Sequence, residues 1–285
     1  MIKILVDSTC DLPDEVIAKY DLDILPLRVL LDGQEFLDKK TIQVDEVYAA
    51  MRKGILPRTA QPYPQDIYNL FQEYCNKGQD FIYLSFSSVM SGTYQLARSI
   101  MREFKHKYPL RKMEIVDTKS GSTATGLIAL QILYLLEKGE LGFDGIVRET
   151  HHMVKHIEHV FTIPDLSWLI KGGRVSKAQG IVGNLLDIKP ILHVKDGAIE
   201  VYKKTRGKNK ALKSIVNILA ERAGNFTDQV IGVSHSDDLE VAQQIIAMIK
   251  EKLGFQTFMV NKIGSVLGSH LGIGGVGVFF FNKGF

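Results

Sequence analysis

Short apolar runs that end in clusters of Ser, Thr and Asp recur through the first half of the chain. Ile2-Lys3-Ile4-Leu5-Val6 runs into Asp7-Ser8-Thr9, the pattern of a buried strand feeding a polar loop. Pro13 predicts a helix start, since proline's missing N–H costs nothing in a first turn, and that helix should reach about Tyr20. Residues 24–31 read as a strand and Asp32-Gly33 as a turn. Phe81-Ile82-Tyr83-Leu84 is a further buried strand, followed by Ser85, Ser87, Ser88 and Ser91. The helix after it carries Leu96, Ala97, Ile100, Met101 and Phe104 on one face. Met113-Glu114-Ile115-Val116-Asp117 repeats the pattern, with a loop of Ser120, Gly121, Ser122 and Thr123 and a helix from Leu127. Strand, polar loop and helix in succession predict an α/β domain of three layers around a parallel sheet. Ligands of such sheets sit beyond the carboxyl ends of the strands. The loops at 7–9, 85–93 and 117–123 are therefore expected to converge on one site.

The second half has a different rhythm. Residues 189–194 and 198–202 flank Lys195-Asp196-Gly197, a hairpin signal. A helix is expected over 208–223, a strand over 230–234, a helix over 239–253, and strands over 256–260 and 276–281. Hairpins mixed with two helices predict an α+β domain with a mixed, mostly antiparallel sheet. The boundary falls within 145–165, which gives an α/β domain over 1–155 and an α+β domain over 156–285.

Composition narrows the class without naming a function. The 285 residues suit two domains. With 45% hydrophobic and 24% charged residues, disordered, collagenous and disulfide-scaffold proteins are excluded. A net charge of +3 is too small to make the whole surface a nucleic-acid or membrane footprint. The two cysteines, Cys10 and Cys75, fit a reducing cytoplasm and cannot build a metal knuckle. Asp7 interrupts the first apolar run too early for a signal peptide. The apolar stretch over 127–136 has about half the length of a membrane span. The expectation is a soluble cytoplasmic protein with no stable membrane insertion.

Four motifs invite chemical readings. Gly272-Ile273-Gly274-Gly275-Val276-Gly277 matches the dinucleotide fingerprint by letter, but it precedes a strand instead of opening a helix. What remains is a loop whose backbone approaches something closely. His151, His152, His156 and His159 place half of the 8 histidines in one short stretch. On a helical wheel, Ile146, Val147, Met153, Val154 and Ile157 form one face, and His152, His156 and His159 lie opposite, which favours a solvated face over a metal site. Residues 203–210 hold Lys203, Lys204, Arg206, Lys208 and Lys210, either an exposed loop or a rim for an anion or an acidic partner. With only Tyr202 nearby, nucleic acid is disfavoured. Ser91-Gly92-Thr93-Tyr94 opens a helix. Ser91 is then either an N-cap or part of an anion cradle at the helix N-terminus.

Several segments taken in order resemble one family. They are Asp7-Ser8-Thr9-Cys10-Asp11-Leu12-Pro13, Thr59-Ala60-Gln61-Pro62, Ser87 to Tyr94, and Asp117-Thr118 with its loop. Leu169-Ile170-Lys171-Gly172-Gly173-Arg174-Val175-Ser176, Lys189-Pro190-Ile191-Leu192 and Gly268-Ser269-His270-Leu271-Gly272 continue the series. The chain resembles the DegV family of bacterial fatty-acid-binding proteins from about Lys3 to Phe281. The resemblance implies a lipid carrier, not an enzyme, that holds a long-chain fatty acid such as palmitate or oleate in a buried tunnel. It implies no other cofactor and no metal. It further implies that a separate fatty acid kinase subunit phosphorylates the carboxylate with ATP, and that the acyl phosphate feeds phospholipid synthesis. Thr59, Ser91, Gly92 and His270 match the carboxylate-binding positions, and Arg174 and Arg206 those near the head group or the kinase contact.

The sequence departs from the family pattern at Ala60, Tyr63 and Ile273, with Tyr63 a candidate wall of the pocket. These departures bear on acyl-chain preference. The alternative reading is a serine-dependent acyl-ester or acyl-phosphate hydrolase with Ser91 as nucleophile and His270 as base. The absence of a G-x-S-x-G elbow counts against it. A DNA-associated regulator would rest on residues 203–210 alone.

Overall fold

A computed structural model describes residues 2–175, 188–224 and 226–284. The first sheet has the order β2-β1-β6-β7, from β1 (Ile2–Asp7), β2 (Asp23–Leu25), β6 (Asp80–Ser85) and β7 (Met113–Asp117), with every neighbour parallel. Its strands are apolar on both faces because helices cover both. Leu5, Phe81 and Tyr83 pack with Phe71, Ala97 and Phe104 of α3 (Pro64–Asn76) and α4 (Thr93–Lys107). Ile4, Val6, Ile82 and Leu84 pack on the other side with α5 (Ser122–Lys138) and α6 (Phe143–His156). This is the three-layer α/β arrangement the sequence predicts.

The strand expected over 24–31 divides in two. Pro26 cannot donate to a sheet ladder, and the chain leaves β2 there. It continues as β3 (Arg28–Leu31), which turns through Asp32 and Gly33 into β4 (Gln34–Leu37). With β5 (Arg58–Ala60) these form a small antiparallel sheet of order β4-β3-β5.

The third sheet has the order β10-β9-β8-β13-β11-β12. Its strands are β8 (Ile157–Thr162), β9 (Ile188–Lys195), β10 (Ala198–Arg206), β11 (Ile231–His235), β12 (Phe258–Lys262) and β13 (Val276–Phe281). Only β11 and β12 pair in parallel. The Asp196-Gly197 turn has positive φ at both residues, as a tight hairpin requires. The helices α8 (Lys208–Ala223) and α9 (Leu239–Leu253) bury one face of this sheet. The other face turns towards α5, where Phe279 and Phe281 join the core of the first sheet.

Two expectations fail here. β8 is a strand where the sequence reading extends a helix through His159; the helix stops at His156. The basic run is not a loop, since Lys203, Lys204 and Arg206 lie on β10, and Lys208 and Lys210 in the first turn of α8.

The helix α5 is thus shared between two sheets, and Gly126 shows how closely it is packed. A Cβ there would lie 2.6 Å from the Asp11 carbonyl oxygen and 3.3 Å from Leu12 and Met259. Alanine normally favours a helix over glycine by about 1 kcal/mol. Overpacking should outweigh that gain, and Gly126→Ala is expected to lower stability by about 1–3 kcal/mol. Urea unfolding checks this; an unchanged or raised midpoint would contradict the packing.

A candidate ligand cavity at the junction of the three sheets

The polar loops at the ends of the parallel strands do meet, and much of their polarity is spent on one another. The Asp7 carboxylate accepts from Thr9 Oγ1 (2.5 Å), the Phe86 N–H (2.8 Å) and Tyr83 Oη (3.1 Å). Ser88 Oγ donates to Asp117 (2.5 Å) and Thr118 Oγ1 to the Ser85 carbonyl (2.8 Å). Ser122 Oγ donates to Asp11 (2.6 Å), and Thr123 Oγ1 lies 2.5 Å from Ser234 Oγ of β11. Burial raises the Asp11 carboxyl to about 6, against the opposing pull of Lys39 and of the donors from Ser122 and Gly264.

Beyond this network lies a cavity of about 280 Å³. It is walled by Phe86, Met90, Phe161, Leu267 and Phe279 among other apolar side chains. Thr59, Ala60, Ser91, Gly92, Arg174 and His270 reach it from separate elements. Thr59 sits on β5, and its Oγ1 is 2.8 Å from Nε2 of His270 on α10 (Ser265–Leu271). Burial, with Arg174 adding to it, pushes the His270 imidazole down to about 4, so the ring is neutral near pH 7. Its Nδ1 is buried without a hydrogen bond among the described residues. Gly172 makes room for the ring, since a Cβ there would lie 2.2 Å from Nδ1.

Ser91 is one residue short of the cap, which is Gly92. Its Oγ still accepts from the Thr93 N–H (3.3 Å) and pairs with Thr93 Oγ1 (2.9 Å). It therefore stands at the opening of α4 with N–H groups behind it, a place suited to negative charge. Arg174 is exposed, donates through Nε to the Met90 carbonyl (3.3 Å) and through Nη1 to the Gly172 carbonyl (2.5 Å). Two hydroxyls, a neutral imidazole, a helix start and a guanidinium thus line a cavity whose remaining wall is mostly apolar. Ser91 and His270 are not hydrogen-bonded to each other; each has a different partner, Thr93 and Thr59.

The other sequence candidates lie elsewhere. Arg206 is exposed at the end of β10 and does not line the cavity. Tyr63 is not a pocket wall either; its ring packs under the Arg28 guanidinium at 4.5 Å and its hydroxyl bonds Glu35 on the surface. Gly275 and Gly277 line the cavity, as expected of a loop where backbone comes close. Ser176, the last residue of the arginine motif, lies outside the described residues. Among the described residues no group of His, Cys, Asp and Glu could hold a metal ion, and no helix is long and apolar enough to cross a membrane.

Sequence reasoning missed His159. It is 4% exposed, lines the cavity, and stands edge to face with Phe279 at 5.7 Å. The alternation Ile157, His159, Phe161 just before Pro164 is a strand signal that could have found it.

The family profile described as "Uncharacterised protein, DegV family" matches residues 1–283. The chain belongs to the DegV family. A DegV domain-containing protein of Clostridium perfringens is 34% identical over 280 residues, covering 97% of this chain and 96% of the relative. A DegV protein of Thermus thermophilus, described as fatty acid binding, superimposes with a TM-score of 0.89 at 28% identity, over 98% of this chain and 99% of that one. A stearic acid-binding protein of Eubacterium ventriosum gives 0.90 at 26% identity, over 98% and 97%. The fold is thus shared with both of these structures along nearly the whole chain.

His159 makes stability depend on pH. Burial pushes its imidazole down to about 3, whereas in the unfolded chain it protonates near ~6.5. Between those values the unfolded chain binds the extra proton, so acid withdraws stability. Relative to His159→Phe, the delipidated protein should lose stability on moving from about pH 7 to about pH 4.5. Urea unfolding at both pH values measures the difference, and a pH-independent gap would contradict the neutral buried ring.

Proposed function

We propose that this chain binds a long-chain fatty acid, with its tail in the cavity and its carboxylate at Thr59, Ser91, Gly92 and His270. The observation that carries the reading is the pairing of an apolar cavity with uncharged donors clustered on one part of its wall. The Thermus and Eubacterium relatives, which are described as binding fatty acids, support it. An ionised carboxylate removed from water needs several donors to offset its desolvation. Each charge-assisted hydrogen bond contributes roughly 1.5–3 kcal/mol. A sixteen-carbon tail contributes roughly 12 kcal/mol gross at ~0.8 kcal/mol per methylene, before ordering costs. Affinity then comes chiefly from the tail, while the head group fixes identity and direction.

The same reading makes the chain a carrier in the cytoplasm. The acid's carboxylate, beside Arg174, would be presented to a separate fatty acid kinase subunit, with exposed Arg206 available for contact. The kinase would transfer phosphate from ATP to give an acyl phosphate for phospholipid synthesis. It also treats 1–155 and 156–285 as the two units that enclose the ligand.

Mass spectrometry of gently purified, then denatured protein should release a fatty acid; empty preparations throughout would sink the proposal. The double change Thr59→Ala, Ser91→Ala should weaken retention by at least roughly 30-fold. With a fatty acid kinase subunit and ATP, the loaded chain should yield acyl phosphate, and alone it should turn over neither acyl esters nor acyl phosphates. Ester hydrolysis by the isolated chain, lost in Ser91→Ala, would overturn the carrier reading in favour of a hydrolase.

A further inference from the structure

Most polar side chains of the cavity wall are paired within the protein or, like Gln61, exposed, and one fully buried side chain is neither. Of the proposed head-group residues, Thr59 pairs with His270, Ser91 with Thr93, and Arg174 with the Met90 carbonyl. Ser122 and Thr162 are satisfied by the protein itself, through Asp11 and the Pro190 carbonyl (2.7 Å). His159 is the exception. Both ring nitrogens are buried with no hydrogen bond among the described residues. The ring shares no bond with the head-group cluster, and its neighbour is the Phe279 ring opposite it on β13.

Such a side chain is costly in a wall built for a hydrocarbon tail. A methylene chain sliding past it would leave one donor and one acceptor bare, because the neutral imidazole has both. A trapped water is a poor remedy, since a buried water needs two to four polar partners. Phe161, on the same face of β8, and Phe279 offer none. A leucine or phenylalanine at this position would have suited a plain tail better. We propose that His159 forms a second polar subsite of the cavity, recognising a hydroxyl group partway along an acyl chain. This rests on the fatty-acid-binding reading and deepens it: the ligand class becomes mid-chain hydroxylated fatty acids alongside plain ones. An aliphatic hydroxyl is the fitting partner because it both donates and accepts, as the neutral ring does. The ligand brings that hydroxyl in covalently, so no separate molecule has to be ordered.

The test uses delipidated full-length chain and compares stearate with a positional series of monohydroxystearates, by displacement of a fluorescent fatty acid. One isomer should bind about 10-fold better than its neighbours in the series, the rest being penalised for burying an unpaired hydroxyl. His159→Leu should flatten the series and tighten stearate binding, as an apolar wall would, and His159→Gln should restore part of the preference. A flat series in the unmodified chain, or a preference that survives His159→Leu, overturns the subsite while leaving the carrier reading intact. Failure of stearate itself to bind would instead overturn the fatty-acid reading, and the subsite with it.

Discussion

The buried carboxylate of Asp11 ties the first sheet to the third. It accepts from Ser122 Oγ at the start of α5 and from the Gly264 N–H ahead of α10, with Lys39 Nζ 3.9 Å away. The Asp11 carbonyl accepts from Asn261 Nδ2 of β12 (3.1 Å). An unpaired carboxylate in such a place would be prohibitively costly. The chain therefore has to bring residues about 110 and 250 positions away onto this one side chain. Doing so sets α5 between the sheets and leaves Gly121 and Ser122 on the cavity wall. The cavity is what remains where three sheets meet around a polar joint that cannot be packed over.

That origin explains the electrostatics of the site. The joint consumes nearly all the polarity of the strand-end loops, so what faces the cavity is mostly apolar. The groups left over, Thr59, Gln61, Ser91, His159 and His270, carry no formal charge, because burial holds both imidazoles neutral. Among the described residues of the wall, Arg174 alone supplies positive charge, and it does so while exposed. An anionic head group meeting this wall exchanges water for neutral donors, with a guanidinium close by. Its arrival would in turn draw the His270 imidazole towards the charged form, since an opposite charge nearby favours protonation.

Much of this was legible in the residues. The continuous apolar strands, the Asp-Gly hairpin and the amphipathic helix over 93–107 follow from local periodicity, and the structure agrees. What local pattern could not supply was partnership at a distance. Pro26 looks like an ordinary residue inside a run of apolar positions until the strand after it is seen to join another sheet. His159 looked solvated because a 3.6-residue period was carried one turn past the real end of α6 at His156. On the two-residue period of β8 the same side chain points into the cavity. Tyr63 adjoins a motif that does reach the cavity, yet Arg28 and Glu35 draw it to the surface. The family resemblance brought Thr59, Ser91 and His270 together where spacing in the chain could not.

The cluster is also held from both halves of the chain. The loop before α4 is fixed on one side by Asp117, which accepts from Ser88. On the other, Ser87 Oγ donates to the Gly197 carbonyl (2.7 Å) and Arg174 reaches the Met90 carbonyl. Gly197 belongs to the hairpin whose second strand carries Lys203, Lys204 and Arg206. A Cβ at Gly197 would lie 2.7 Å from Ser87 Oγ, so the hairpin seats against this loop without slack. Close-packed contacts transmit displacement instead of absorbing it. The loop that positions Ser91 and the hairpin of the basic strand are in such contact.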